Sequence, residues 1–241
     1  LFSVSNSGYR SNSSTLNSFG NSFGNSFGNS FGNSFGNSFG NSFGIIVKYQ
    51  SKSAFPAYKS RLMLNKNYEY GLYGGSFNPI HEGHLAVANY ALKSLNLHKI
   101  IWLVTPQNPF KDPSIYRPFQ ERFTQVQEKA TNPSFIISDL EKQIKTSNSF
   151  ETLLFLTTRY PNIKFTYIIG SDSLALLHKW HFFSYITKMV KFAIIIRPTH
   201  RFNINAFKAI KYFKQNETAY QFLLQPFHFV SSTQIRESNQ L

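Results

Sequence analysis

Cysteine is absent from the 241 residues, which excludes a disulfide framework and a thiolate metal site and makes a reducing cytoplasm the expected home. Long apolar runs are absent as well. None approaches the roughly 18 residues that a membrane-spanning helix needs, so a soluble chain without a membrane partner is expected. Acidic side chains are scarce, 11 against 25 lysines and arginines, for a net charge of +14. Such an excess attracts phosphates, and nucleic acid is one source of them. A bias toward codons rich in A and T would raise the same Lys, Asn, Ile and Phe content with no nucleic-acid partner. Residues 1–62 hold five of the basic groups (Arg10, Lys48, Lys52, Lys59, Arg61) and no acidic one, which leaves +9 on the remainder. That excess suits anionic nucleotides without identifying one.

With 41% apolar residues the chain can bury one good-sized core, or one core plus an extension. The uneven composition favours the second. Residues 17–44 are seven uninterrupted copies of Asn-Ser-Phe-Gly, and a period of four fits neither the helix period of 3.6 nor the strand period of 2. The tract is predicted to be disordered and weakly self-adhesive. A Phe-Gly tract that binds partners competes here with the translation of an expanded DNA repeat. The next segment, IIVKYQSKSAFPAYKSRL, is too short and too charged to be a domain. Met63 stands just ahead of the first apolar strand, so the expected organisation is a disordered extension over 1–62 and a folded domain over 63–241, starting at or near Met63. A transit peptide is the alternative for the extension, which is Ser-rich and acid-free but poor in arginine.

From Tyr68 onward short apolar runs recur: Tyr70 to Tyr73, Ile100 to Val104, Phe135 to Ile137, Phe165 to Ile169 and Phe192 to Ile196. They read as buried strands. Helical stretches lie between most of them, one with Leu85, Ala88, Leu92 and Leu95 on one face, another over Phe150 to Tyr160 that Pro161 stops. This alternation predicts an α/β fold, a Rossmann-like doubly wound parallel sheet with helices on both faces. Ligands of such sheets sit beyond the carboxyl ends of the strands, where strand order reverses.

The first strand runs into GGSFNPIHEGH, residues 74–84. Gly74 and Gly75 can take backbone conformations closed to other residues, and they let a ligand approach the main chain closely. Gly83 and His84 read as the opening of a helix whose N–H groups face an anion. His81 and His84, three apart, then point into one pocket. A metal site is disfavoured, since no third ligand stands at a suitable spacing and cysteine is absent.

GGSFNPIHEGH resembles the signature loop of the HxGH nucleotidyltransferases, and of bacterial nicotinate-nucleotide adenylyltransferases in particular. TPQNPFK (105–111) is similar to that family's loop after its second strand, IIGSDSLALLHKW (168–180) to its Gly-x-Asp and His-x-Trp region, and SSTQIR (231–236) to the superfamily's terminal phosphate-binding motif. The likeness runs from about Tyr68 to Arg236, with all four motifs in order.

The resemblance implies attack of a mononucleotide phosphate on the α-phosphate of ATP, with pyrophosphate expelled. His81, His84 and Arg236 would be the catalytic groups. ATP would be held by Gly74, Gly75, Ser76, Phe77, His81, His84, Gly170, Asp172, Ser231, Ser232, Thr233 and Arg236. The second substrate, nicotinate mononucleotide, would meet Asn78, Lys111, Thr152 and Trp180, the indole stacking on the pyridine ring. Mg²⁺ is expected on the ATP phosphates and water, with no protein metal ligand nominated. Small nucleotides are thus the expected partners, and nucleic acid and membrane are not. Each residue has a plainer reading as well. Trp180 could pack with Phe182 and Phe183, Asp172 and the Ser-Ser-Thr run could be ordinary helix caps, and Lys111 could be a solvated surface lysine.

Two departures bear on the substrate. Only five residues follow Arg236, where the family continues through a further helical segment, and KTSNSFETL matches the family's Ser-Tyr-Thr-rich loop only loosely. Rival readings are nicotinamide mononucleotide or phosphopantetheine as acceptor, a cytidylyltransferase, an inactive remnant, and a structural protein whose working part is the repeat. Phosphopantetheine enzymes resemble this chain in the first and last motifs but usually carry Thr where His81 stands. Deleting residues 1–62 separates the enzyme from the repeat protein: adenylyl transfer at the full-length rate in a pyrophosphate-release assay is the expected result.

Overall fold

The computed structural model describes residues 62–107, 112, 114, 116–196 and 207–224. All lie in the unit Phe55–Leu241, and the repeat tract is outside the described residues. Among the described residues six strands form one sheet: β1 (Tyr70–Gly75), β2 (Lys99–Val104), β3 (Phe135–Ser138), β4 (Phe165–Gly170), β5 (Lys191–Ile196) and β6 (Tyr220–Leu224). Their order is β3-β2-β1-β4-β5-β6, and every neighbouring pair is parallel. Among the described residues the α-helices are α1 (Glu82–Ser94), α2 (Phe119–Lys129), α3 (Leu140–Gln143), α4 (Ser149–Arg159), α5 (Leu174–Leu177), α6 (Phe183–Met189) and α7 (Lys208–Gln215).

A parallel strand covered on both faces must be apolar at nearly every position, which is why KIIWLV and KFAIII read as unbroken runs. Leu72 pairs with Ile101 on one side and Tyr167 on the other, and Tyr167 with Phe192, so one sheet face carries these four in a row. Phe192 on that face meets Phe213 of α7 at 5.1 Å between ring centroids, and the Tyr167 hydroxyl lies 3.3 Å from Ser149 Oγ of α4. On the opposite face Tyr73, Trp102, Ile168 and Ala193 form a core with Val87, Ala88 and Ala91 of α1 and Val126 of α2. The doubly wound architecture expected from the alternation is therefore present.

Five strands fall within one or two residues of the expected runs. The sixth, Tyr220–Leu224, has no counterpart among them: Gln221 interrupts its apolar run. The α1 face is also rotated from the expected one. Val87, Ala88 and Ala91 are buried, whereas Leu85 and Leu92 are only partly so and Leu95 is the C-cap. Helix α4 ends at Arg159, ahead of Pro161, as its sequence implies.

Chain order along the sheet reverses between β1 and β4. From β1 the chain moves outward to β2 and β3, and from β4 outward to β5 and β6. The loops that leave the carboxyl ends of β1 and β4 therefore part to opposite sides and leave a crevice between them. Those two loops carry the motifs at 74–84 and 168–180.

Candidate active site

The loop leaving β1 turns sharply. Phe77 takes a left-handed backbone (φ 46°), the Asn78–Pro79 peptide is cis, and His81 becomes the N-cap of α1. Phe77 is only 2% exposed, its ring packed 5.0 Å from Trp102, 5.5 Å from Tyr73 and 5.1 Å from His84. This aromatic cluster packs against His84.

The histidines cap the helix reciprocally. His81 Nδ1 accepts the Gly83 N–H at 3.1 Å, and His84 Nδ1 accepts the His81 N–H at 3.3 Å. Ser, Thr or Asp usually fills the N-cap role. An imidazole in that role has a chemical consequence, because a neutral ring that accepts at Nδ1 carries its proton on Nε2. The two rings lie 3.8 Å apart at 34°. Both thus hold an N–H donor at fixed orientation at the carboxyl end of β1, next to the positive end of the α1 dipole.

The glycines serve space rather than unusual torsion. No described glycine has positive φ, so Gly74 and Gly75 do not use that conformational freedom here. A Cβ on Gly74 would stand 2.7 Å from the Tyr167 hydroxyl oxygen, and one on Gly75 would stand 2.9 Å from the Phe77 ring. A Cβ on Gly170 would run into the Asp172 carboxylate. Close approach of Tyr167 and Phe77 thus disfavours larger residues at Gly74 and Gly75, whereas the exposed Asp172 side chain can swing aside from Gly170.

Several residues expected to touch ligand turn inward. Phe77 is core, so it can meet ATP only through its backbone. Asn78 is 3% exposed and its Oδ1 accepts the Arg117 N–H at 3.1 Å. Thr152 is fully buried, and its hydroxyl donates to Glu141 Oε1 (3.1 Å) and the Asn148 carbonyl (3.2 Å). Its link to a substrate would run through those two residues. Trp180 does not join Phe182 and Phe183, which pack with Phe150 and with Tyr212 and Phe213. It stands edge-on to Tyr167 at 5.7 Å, half-buried beyond β4. Asp172 is exposed in the 3₁₀ turn Ser171–Ser173 after β4. Ser76 is half-buried. Lys111, Ser231, Ser232, Thr233 and Arg236 lie outside the described residues.

Two buried charged groups escaped the sequence reading. Arg122 is fully buried under the loops after β1 and β2. It lies on the apolar side of α2 with Phe119 and Val126, three behind and four ahead, a placement visible in the helical period. Glu141, in α3, is 3% exposed; Thr105 and Thr152 hydrogen-bond its carboxyl, while its Oε2 meets no partner. Burial pushes its pKa up from 4.5 to about 7. Nothing in Asp-Leu-Glu-Lys-Gln distinguishes this glutamate from a solvated one.

A Rossmann-like sheet with two oriented imidazoles at its reversal point defines a nucleotide-binding α/β domain. Comparison with known proteins carries this further. The cytidylyltransferase-like family model matches residues 72–238. A "probable nicotinate-nucleotide adenylyltransferase" of Caulobacter sp. (strain K31) is 38% identical over 180 residues, covering 69% of this chain and 95% of that protein. One of the same name from Methylorubrum extorquens (strain PA1) is 40% identical over 143 residues, covering 59% and 77%. The fold is shared with the Plasmodium falciparum nicotinic acid mononucleotide adenylyltransferase complexed with NaAD, at TM-score 0.57 and 21% identity, over 70% of this chain and 83% of that one. The chain belongs to the cytidylyltransferase-like family and, within it, to the nicotinate-nucleotide adenylyltransferases.

Two outcomes check the geometry. Long-range ¹H–¹⁵N NMR at pH 8 should show His81 and His84 as Nε2–H tautomers, and Nδ1–H signals would contradict the caps. For Glu141, the folded chain keeps a proton that the unfolded chain releases at about 4.5. Its contribution is full below pH 4.5 and is lost as pH rises to about 7, amounting to as much as about 3 kcal/mol. Urea unfolding of wild type and Glu141→Gln should accordingly diverge between pH 4.5 and 7, wild type losing stability relative to the variant. Parallel curves would refute the raised pKa.

Proposed function

We propose that this enzyme transfers the adenylyl group of ATP to nicotinate mononucleotide, yielding nicotinate adenine dinucleotide and pyrophosphate. The observation that carries the reading is the reciprocal imidazole cap at the reversal point of the sheet. The names of the relatives and the order of the four motifs support the substrate assignment. A phosphate oxygen of the mononucleotide bonds to the α-phosphorus as the bond from that phosphorus to the bridging oxygen breaks, and pyrophosphate leaves. The attacking phosphate is already ionised, so no general base is needed. The site must align two anions and offset the charge that grows on the transferring and leaving groups.

In this reading His81 and His84 donate from Nε2 to phosphate oxygens of ATP. Gly74, Gly75 and Ser76 offer main chain, while Phe77, Asn78, Gly170 and Thr152 shape the loops. By resemblance, Ser231, Ser232 and Thr233 take the phosphates as hydroxyl and backbone donors and Arg236 reaches the β and γ phosphates. Lys111 meets substrate phosphate and Trp180 gives the pyridine ring an aromatic face. Mg²⁺ on the ATP phosphates would supply positive charge opposite the leaving pyrophosphate. Among the described residues no three metal-ligating side chains gather, but the exposed Asp172 carboxylate fits an outer contact to hydrated Mg²⁺ or to a ribose hydroxyl. The absence of cysteine suits a cytoplasmic setting.

The test is pyrophosphate release by the full chain with ATP, Mg²⁺ and, in turn, nicotinate mononucleotide, nicotinamide mononucleotide and phosphopantetheine. Turnover with the first in clear preference is expected, and preference for either of the others would overturn the assignment. His84→Ala should stay folded, losing about 1 kcal/mol with its cap. Its kcat should fall by about two to three decades.

A further inference from the structure

A guanidinium withdrawn from water is tolerated only where its N–H groups find acceptors. Arg122 has 0% exposure, and burial lowers its pKa from the ordinary value, although a guanidinium remains charged. Four of its five N–H groups donate to main-chain carbonyls: Nε to Arg117 (3.0 Å), Nη1 to Ser76 (2.5 Å) and Thr105 (3.0 Å), and Nη2 to Pro106 (2.7 Å). The Tyr116 and Phe119 rings flank it at 5.3 and 5.5 Å. Among the described residues no carboxylate pairs with it; Glu121 pairs with Arg117 instead. The same segments are tied by Thr105 N–H to the Gly75 carbonyl (2.9 Å) and Arg117 N–H to Asn78 Oδ1 (3.1 Å). One side chain thus clamps the loop after β1, the loop after β2 and the entry to α2. Lysine, with three donors at a single point, cannot reach all four carbonyls.

We propose that Arg122 is a positioning residue for adenylyl transfer: its guanidinium sets the spacing between the loop that carries the histidines and the loop after β2, and so aligns the two bound substrates. The inference rests on the function proposed above. Its test compares full-length wild type, Arg122→Lys and Arg122→Ala by kcat, KM and amide hydrogen exchange. In folded Arg122→Lys the Thr105 and Arg117 amides should exchange at least about tenfold faster while β4 and β5 amides keep wild-type rates. The kcat should fall about 100-fold with KM for each substrate within about threefold. Guanidinium ion at about 20 mM, far below denaturing levels, should raise kcat of Arg122→Ala by at least about tenfold. A kcat of Arg122→Lys within threefold of wild type overturns the proposal, as does a loss that follows the unfolded fraction and resists rescue. Wild type inert with every mononucleotide overturns the underlying function instead. Exchange then judges the clamp separately, unchanged Thr105 and Arg117 amides in Arg122→Lys refuting it.

Discussion

Two imidazoles that hold each other at the first turn of α1 are the constraint on which the site depends. Because each Nδ1 is occupied as an acceptor of a backbone N–H, the rings can neither rotate nor exchange tautomer without loosening the helix start. Helix stability and donor orientation thus reside in the same two hydrogen bonds. A neutral Nε2–H held in place offers an anion a hydrogen bond without a reorganisation step, the property that stabilises charge developing on a phosphoryl group. Serine or aspartate would cap the helix as well but would present no N–H to a ligand.

The surrounding fold keeps this arrangement in place. Phe77 gives up a relaxed backbone to place its ring under His84 and against Trp102, so the loop is anchored by core burial. Gly74 admits the Tyr167 hydroxyl at a distance no side chain would permit, and Tyr167 in turn supports Trp180 at the edge of the crevice. Arg122 closes the other side, binding main-chain carbonyls rather than a carboxylate. The positive charge of the chain is thereby partly internal, and its buried share organises loops.

Much of this was legible in the residues. Strands buried on both faces read as continuous apolar runs, and the Gly-Gly-Ser-Phe-x-Pro loop ahead of His-x-Gly-His marked the candidate site at the reversal point of the sheet. What stayed hidden shares one cause, since pattern reading assigns direction by residue type. Asn78 and Thr152 stand where the resemblance implies ligand contacts, yet both side chains bond inward, to the Arg117 main chain and to Glu141 and Asn148. Phe77 sits in the loop after β1 and belongs to the core. Arg122 and Glu141 lie in segments rich in charge, where burial of one residue leaves no compositional trace; only the helical phase of Phe119, Arg122 and Val126 set the arginine apart. In β6 the polar Gln221 breaks the apolar run, so the strand did not stand out.

The decisive observation is a crystal structure of the full chain with a non-hydrolysable ATP analogue and Mg²⁺. The account requires Nε2 of His81 and of His84 within about 3.1 Å of phosphate oxygens, with both Nδ1 atoms still accepting from the main chain. Phosphates bound elsewhere, or imidazoles that leave their caps to reach them, would contradict it.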